Sequence, residues 1–130
     1  MDEQKKRQQK NKYEDNKRKL NAKSSTCGSC IADLKKANIN LEANIREWKT
    51  YKAKAYTGIA GKIFVENVFE GVVARELSKE FPESVKVMDN NIKKAKEICS
   101  EIKQQIQSLQ SLQSTIKVDI NIINNKIANL

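Results

Sequence analysis

The chain has 130 residues, enough for one domain, and 25 Lys and Arg against 16 Asp and Glu leave it a net charge of +9. Aromatic residues make up 5% of it and there are four Gly and one Pro, a composition of long helices that excludes a sheet rich in turns. With 38% hydrophobic residues a thick globular core is excluded too, whereas a core one seam wide is within reach.

Residues 1–19 are dense in Lys, Gln, Asn and Arg and are expected to be helical if they extend the helix that starts beyond them, frayed if they do not. From Leu20 a heptad seam begins: Leu20, Ser24, Cys27, Ile31, Leu34, Asn38, Leu41, Ile45, Trp48, Lys52, Ala55. Eight of these eleven positions are apolar, while Lys35, Lys36, Glu42, Arg46, Glu47 and Lys49 occupy the faces between. Gly28 weakens such a helix by about 1 kcal/mol without ending it. The pattern predicts one helix over about 5–55.

Two Gly within the stretch Tyr56-Thr57-Gly58-Ile59-Ala60-Gly61 permit the left-handed backbone that closes a helix, which predicts a turn over 56–61. A second helix is expected over about 62–80, around Ile63, Phe64, Val65, Val68, Phe69, Val72, Val73 and Leu77. This is the net-acidic part of the chain, and its apolar residues cover more than one stripe. Pro82 disfavours helical geometry in the residue before it, so a kink or short interruption is expected over 81–84.

A long helix is predicted over 85–130. Its seam steps through Val85, Met88, Ile92, Ala95, Cys99, Ile102, Ile106, Leu109, Gln113, Ile116, Ile120, Ile123, Ile127 and Leu130, and thirteen of these fourteen positions are apolar. The whole is expected to be all-α, an elongated antiparallel helical hairpin of coiled-coil type with a kink near Pro82. A tight reversal at 56–61 makes residues i and j face each other where i + j is about 117. The first helix then runs out opposite roughly residue 112. On that register Ile116, Ile120, Ile123, Ile127 and Leu130 have no cover within the chain, and each exposed apolar side chain forgoes about 1.5–3 kcal/mol of burial. These five residues are therefore the expected binding surface for a helical partner. Tyr51, Tyr56, Phe64, Phe69 and Trp48 are expected to pack the closed end of the hairpin.

The chemistry-bearing residues are few. There is no His, so no Ser-His or Cys-His nucleophile can be assembled, and no Gly-rich loop follows a strand. Cys27-Gly28-Ser29-Cys30 is a CxxC, but it lies within a helical heptad rather than at a helix start, where the dipole lowers a thiol's pKa. As a zinc site it has only Cys99 as a third thiol, with a carboxylate needed for the fourth place. An odd number of cysteines argues against a disulfide framework. On the 117 register Cys99 stands opposite about residue 18. Asn38 and Gln113 read as polar seam residues that set register. No enzyme, cofactor or metal is expected.

The positive charge is spread: +4 over 1–20, +4 over 21–56, −2 over 57–84 and +3 over 85–130. With no aromatic stacking set beside the lysines, nucleic acid is an unlikely partner, though a basic helical nucleic-acid binder stays an alternative, as does a self-associating structural coiled coil. Residues 1–20 hold no leader-like apolar run, and no stretch approaches the roughly 20 apolar residues of a membrane span. The expectation is a chain made and folded in the cytoplasm, without membrane insertion, that would leave the cell only by a route other than the general secretory one.

Two long helices around the turn Tyr56-Thr57-Gly58-Ile59-Ala60-Gly61-Lys62-Ile63-Phe64, with Leu34, Leu41 and Ile45 on the first helix, resemble the WXG superfamily of small helical-hairpin proteins of type VII secretion. Within it, the chain is similar to the YwqH-like helical proteins encoded beside LXG-domain toxins, whose turn reads W-x-G-x-x-A-x-x-F. Tyr56 stands in the place of the motif Trp, Gly58 and Phe64 supply its Gly and Phe, and Gly61 falls in the Ala place, so that the small residues are shifted and Ala60 stands one position early. The resemblance implies a non-enzymatic adaptor or chaperone that binds the helical LXG domain of a secreted toxin, with a second small helical protein as a further partner, and helps target it for export. Related proteins carry Tyr-x-x-x-Asp/Glu or Phe-x-x-x-Asp export motifs. Here Phe64, Phe69 and Phe81 are followed at that spacing by Val68, Val73 and Val85.

Overall fold

A computed structural model describes the backbone of residues 2–55 and 71–130 and the side chains of 2–54 and 81–130. The expected turn residues Tyr56, Gly58, Ala60 and Phe64 lie outside the described residues, as does the expected helix start over 62–70. Two helices account for what is described: α1, Glu3–Ala55, and α2, Gly71–Ala128. They pack against each other, and the chain is all-α, a helical hairpin of coiled-coil type.

The heptad explains why these two helices pair. Every seam position of α2 from Val85 to Leu130 is buried or half-buried, and every other residue from Pro82 onward is exposed. Burial on α1 follows its own seam: Cys27, Ile31, Asn38 and Ile45 are buried and Leu20, Ser24, Leu34 and Leu41 half-buried. The same spacing continues toward the N-terminus through half-buried Tyr13 and Lys17, so the polar first segment is helical because its seam face has a neighbour. In heptad notation Ser24, Ile31, Asn38, Ile45 and Lys52 on α1, and Val85, Ile92, Cys99, Ile106 and Gln113 on α2, are a positions. The alternate seam residues, such as Cys27, Trp48, Ala95 and Ile116, are d.

Two compact units divide the chain. The first joins Met1–Lys36 to Ile102–Leu130. In it Gln113 donates from Nε2 to the Ser24 carbonyl at 3.2 Å, and the Lys126 ammonium lies 5.9 Å from the centre of the Tyr13 ring. A Cβ on Gly28 would meet that same Gln113 Nε2 at 3.3 Å, so glycine makes room for the amide. The second unit is Ala37–Glu101. Its core is Ile45, Ile92, Ala95 and Cys99 with Leu41 packed against them, and Lys52 is ion-paired with Asp89.

These pairs fix an antiparallel register in each unit and correct the sequence-based one. Ser24 with Gln113 adds to 137 and Tyr13 with Lys126 to 139; in the second unit Lys52 with Asp89 adds to 141. The expected sum was 117, which presupposed a tight reversal at 56–61. Cys99 accordingly sits among Ile45, Ile92 and Ala95 rather than opposite residue 18.

The expected interruption over 81–84 is also absent: Pro82 lies inside α2. Proline cannot donate to the carbonyl of Ser78, four residues back, which costs a helix interior about 3 kcal/mol. Pro82 is exposed, so the ring meets solvent rather than a packed neighbour, and the buried seam that follows it holds the helix to its partner.

Candidate helix-docking surface

The shifted register changes what the C-terminal seam can do. Ile116 is 4% exposed, the most buried of the core residues, and with Leu20, Cys27 and Leu112 it lines a groove between α1 and α2 of the first unit. Ile123 lines a neighbouring groove with Leu20 and Ile122, and Ile120 lies beside Asn21, Ser24 and Gln113. Ile127 and Leu130 are half-buried. The inference that these five side chains lack cover within the chain is therefore wrong; residues of α1 provide it, because the sum of paired positions lies near 139 rather than 117.

The apolar surface left over lies on a flank of each pair. In an antiparallel coiled coil the g positions of both helices border one flank and the e positions the other, and charged residues are the usual occupants of both. Among the second-unit residues whose side chains are described, the g positions are Ala37, Asn44, Tyr51, Ser84, Asn91 and Ile98, none of them charged, whereas the e positions are Glu42, Lys49, Pro82, Asp89 and Lys96, all charged except Pro82.

The uncharged flank is open and apolar. Leu41, Trp48 and Tyr51 of α1 and Met88, Ala95 and Ile98 of α2 line a groove of about 490 Å³, with Asn91 and Lys94 as its polar members. Trp48 is 38% exposed, Tyr51 55% and Ile98 48%. Large Trp48, Leu41 and Met88 of the d layer and small Ala95 line the groove together, with the Tyr51 ring on its flank. The Tyr51 hydroxyl donates to Glu47 Oε1 at 3.1 Å. That hydrogen bond first, and the carboxylate's charge second, raise the phenol's pKa above its ordinary value. Glu47 thus marks the groove's α1 edge and Lys94 its α2 edge.

The opposite flank is electrostatically unlike it. Lys96 stands beside Lys49, and through the side-chain contact first and charge repulsion second it holds the Lys49 ammonium below its ordinary pKa. In the first unit the corresponding flank is polar as well, lined by Asn21, Ser24, Gln110, Gln113 and Lys117.

Sequence reasoning placed Trp48 and Tyr51 in a packed closed end and missed the flank. The signal was present: three g residues of α1 and three of α2 without a charge, in a chain where 32% of residues are charged. It becomes visible only when the positions beside the seam are read together with the seam.

All three cysteines are free, with Cys27 and Cys99 buried in the seam and Cys30 exposed. Among the described residues no group of three or more His, Cys, Asp or Glu is placed to hold a metal ion, and no described helix is long and apolar enough to cross a membrane. Set against family models, curated proteins and solved structures, the chain matches none of them.

Proposed function

We propose that the protein is a non-enzymatic adaptor that binds another helical protein along the uncharged flank of its helix pair. The observation behind this reading is the groove around Trp48, Tyr51 and Ile98, a largely apolar surface with Glu47 and Lys94 only at its edges, on a strongly basic chain. Such a surface suits an amphipathic helix laid lengthwise, whose apolar residues at i, i+3, i+4 and i+7 fill the groove. The resemblance to the small partners of LXG toxins supplies the partner class: the helical LXG domain of a type VII-secreted toxin, which the adaptor would hold in an export-competent form. In the first unit Leu112, Ile122 and Ile123 line a second surface for this role, in place of an uncovered C-terminal seam.

Co-expression with the LXG domain of a toxin encoded beside this protein tests the reading. The two are expected to purify as one complex, and Ile98→Asp is expected to abolish it while leaving the helix content unchanged. A complex that survives Ile98→Asp and Trp48→Ala would place the partner elsewhere, and failure to form any complex would end the adaptor reading.

A further inference from the structure

We infer that in the free protein the groove of the second unit is filled by a second copy of the chain, packed flank to flank so that α1 of each copy lies against α2 of the other. The argument rests on charge. Glu47 and Lys94 lie at mid-length of the groove, on its α1 and α2 edges. Their numbers add to 141, the sum of the Lys52–Asp89 pair, so they stand at one level along the helices. A two-fold axis running parallel to the helices turns the flank onto itself and exchanges the α1 and α2 edges level by level. Glu47 then meets Lys94 of the other copy, and Lys94 meets the other Glu47. The remaining charged edge positions meet neutral ones: Lys54 is level with Val87, and Glu101 with Asn40. A two-fold axis across the helices at that level would instead set Glu47 against Glu47 and Lys94 against Lys94.

Two observations narrow the occupant further. The chain carries +9, so a second copy can approach only where charge is balanced. The flank bearing Lys49 and Lys96 already sets like charges together within one copy and would bring four ammonium groups to one place in a dimer. The groove of the first unit repeats the pattern independently: its charged lining residues include Lys23 on α1 and Asp119 on α2, of opposite sign. A uniformly acidic helix fits the second-unit groove less well, because it would meet Glu47 on one edge.

The inference goes beyond the adaptor reading and does not depend on the toxin partner. Its test uses the purified full chain alone, by sedimentation equilibrium and by the emission of its single tryptophan, Trp48, which lines the groove. The expected result is twice the 14.8 kDa chain mass at high concentration, with dilution lowering the mass and shifting Trp48 emission to the red in step. Ile98→Asp, at a half-exposed position, is expected to give a monomer with unchanged far-ultraviolet circular dichroism. Glu47→Lys is expected to weaken association about tenfold, since it turns two attractive contacts repulsive, and Glu47→Lys with Lys94→Glu to restore it. A wild-type monomer at all concentrations, a larger assembly, a dimer whose tryptophan emission ignores dilution, or a Glu47→Lys dimer as tight as wild type would each overturn the arrangement. A monomer that still binds an LXG domain would end this inference and leave the adaptor reading standing; a dimer that binds no such domain would do the reverse.

Discussion

At the scale of single residues, burial within the seam sorts the consequences of mutation. Ile116 is 4% exposed, so Ile116→Ala removes three carbons from a packed site and leaves a cavity. It is expected to cost about 2–5 kcal/mol, a large part of a small domain's stability, read from urea unfolding followed by circular dichroism. The same change at half-buried Ile127 is expected to cost less, because fewer contacts are lost there. Equal costs at both sites would contradict the α1 cover assigned to Ile116. Asn38 is the opposite case. It is 8% exposed; its Nδ2 donates to Glu42 at 3.3 Å, and its Oδ1 is buried without a hydrogen-bond partner. Leaving that acceptor unsatisfied costs about 1–3 kcal/mol. Asn38→Val is therefore expected to raise the unfolding free energy by an amount of that order, and a loss of stability would show that the amide makes a contact worth more than its desolvation. The heptad placed Asn38 on the seam and assigned it a register role; that its carbonyl goes unpaired depends on atomic positions that no heptad encodes.

At the scale of elements, the period of each helix was legible and the alignment between helices was not. Apolar residues recurring every 3.5 positions identify which face of α2 is buried, and the structure places every one of those positions in the interface. A seam that repeats every seven residues looks the same after a slide of whole heptads. Register therefore comes from where the chain reverses and from the few residues that break the repeat. Gly58 and Gly61 suggested a tight reversal and a sum near 117; Gly28 against Gln113, and Lys52 with Asp89, give 141. Gly28 opposite a long polar side chain is the kind of size match that sets register, yet in the sequence it read as a weak point in a helix. At Pro82 a kink or a short interruption was expected, and the helix runs through without an interruption, because a break would loosen the seam packing that follows. Pro82→Ala restores a backbone donor at an exposed position. It is expected to stabilise the protein by up to about 3 kcal/mol in chemical denaturation, and no gain would mean that the helix is already distorted enough at Pro82 to have lost nothing.

At the scale of the whole molecule, the described g positions of one flank in the second unit carry no charge while the chain carries +9. Net repulsion destabilises a compact state, and salt weakens it once the Debye length falls to about 10 Å near 0.1 M. The attractive pairs offer little opposition. Among the described residues Lys6–Glu3, Arg18–Asp15 and Lys19–Asp15 are exposed contacts three or four residues apart within one helix, and only Lys52–Asp89 joins the two helices, at a partly exposed site; such pairs contribute at most about 1 kcal/mol each. Lys49 and Lys96, on different helices, repel across the packed interface, and that repulsion acts only in the folded state. Screening should therefore remove more repulsion than attraction. The thermal midpoint of the protein is expected to rise from low to moderate sodium chloride, measured well below the concentration at which copies associate. Lys96→Glu replaces the central repulsion by an attraction to Lys49. It is expected to raise the midpoint at low salt and to flatten its dependence on salt, without touching the groove on the other flank. A midpoint that falls with salt in the wild type would mean that the ion pairs outweigh the excess of positive charge. A Lys96→Glu protein with an unchanged slope would move the source of the repulsion away from this pair.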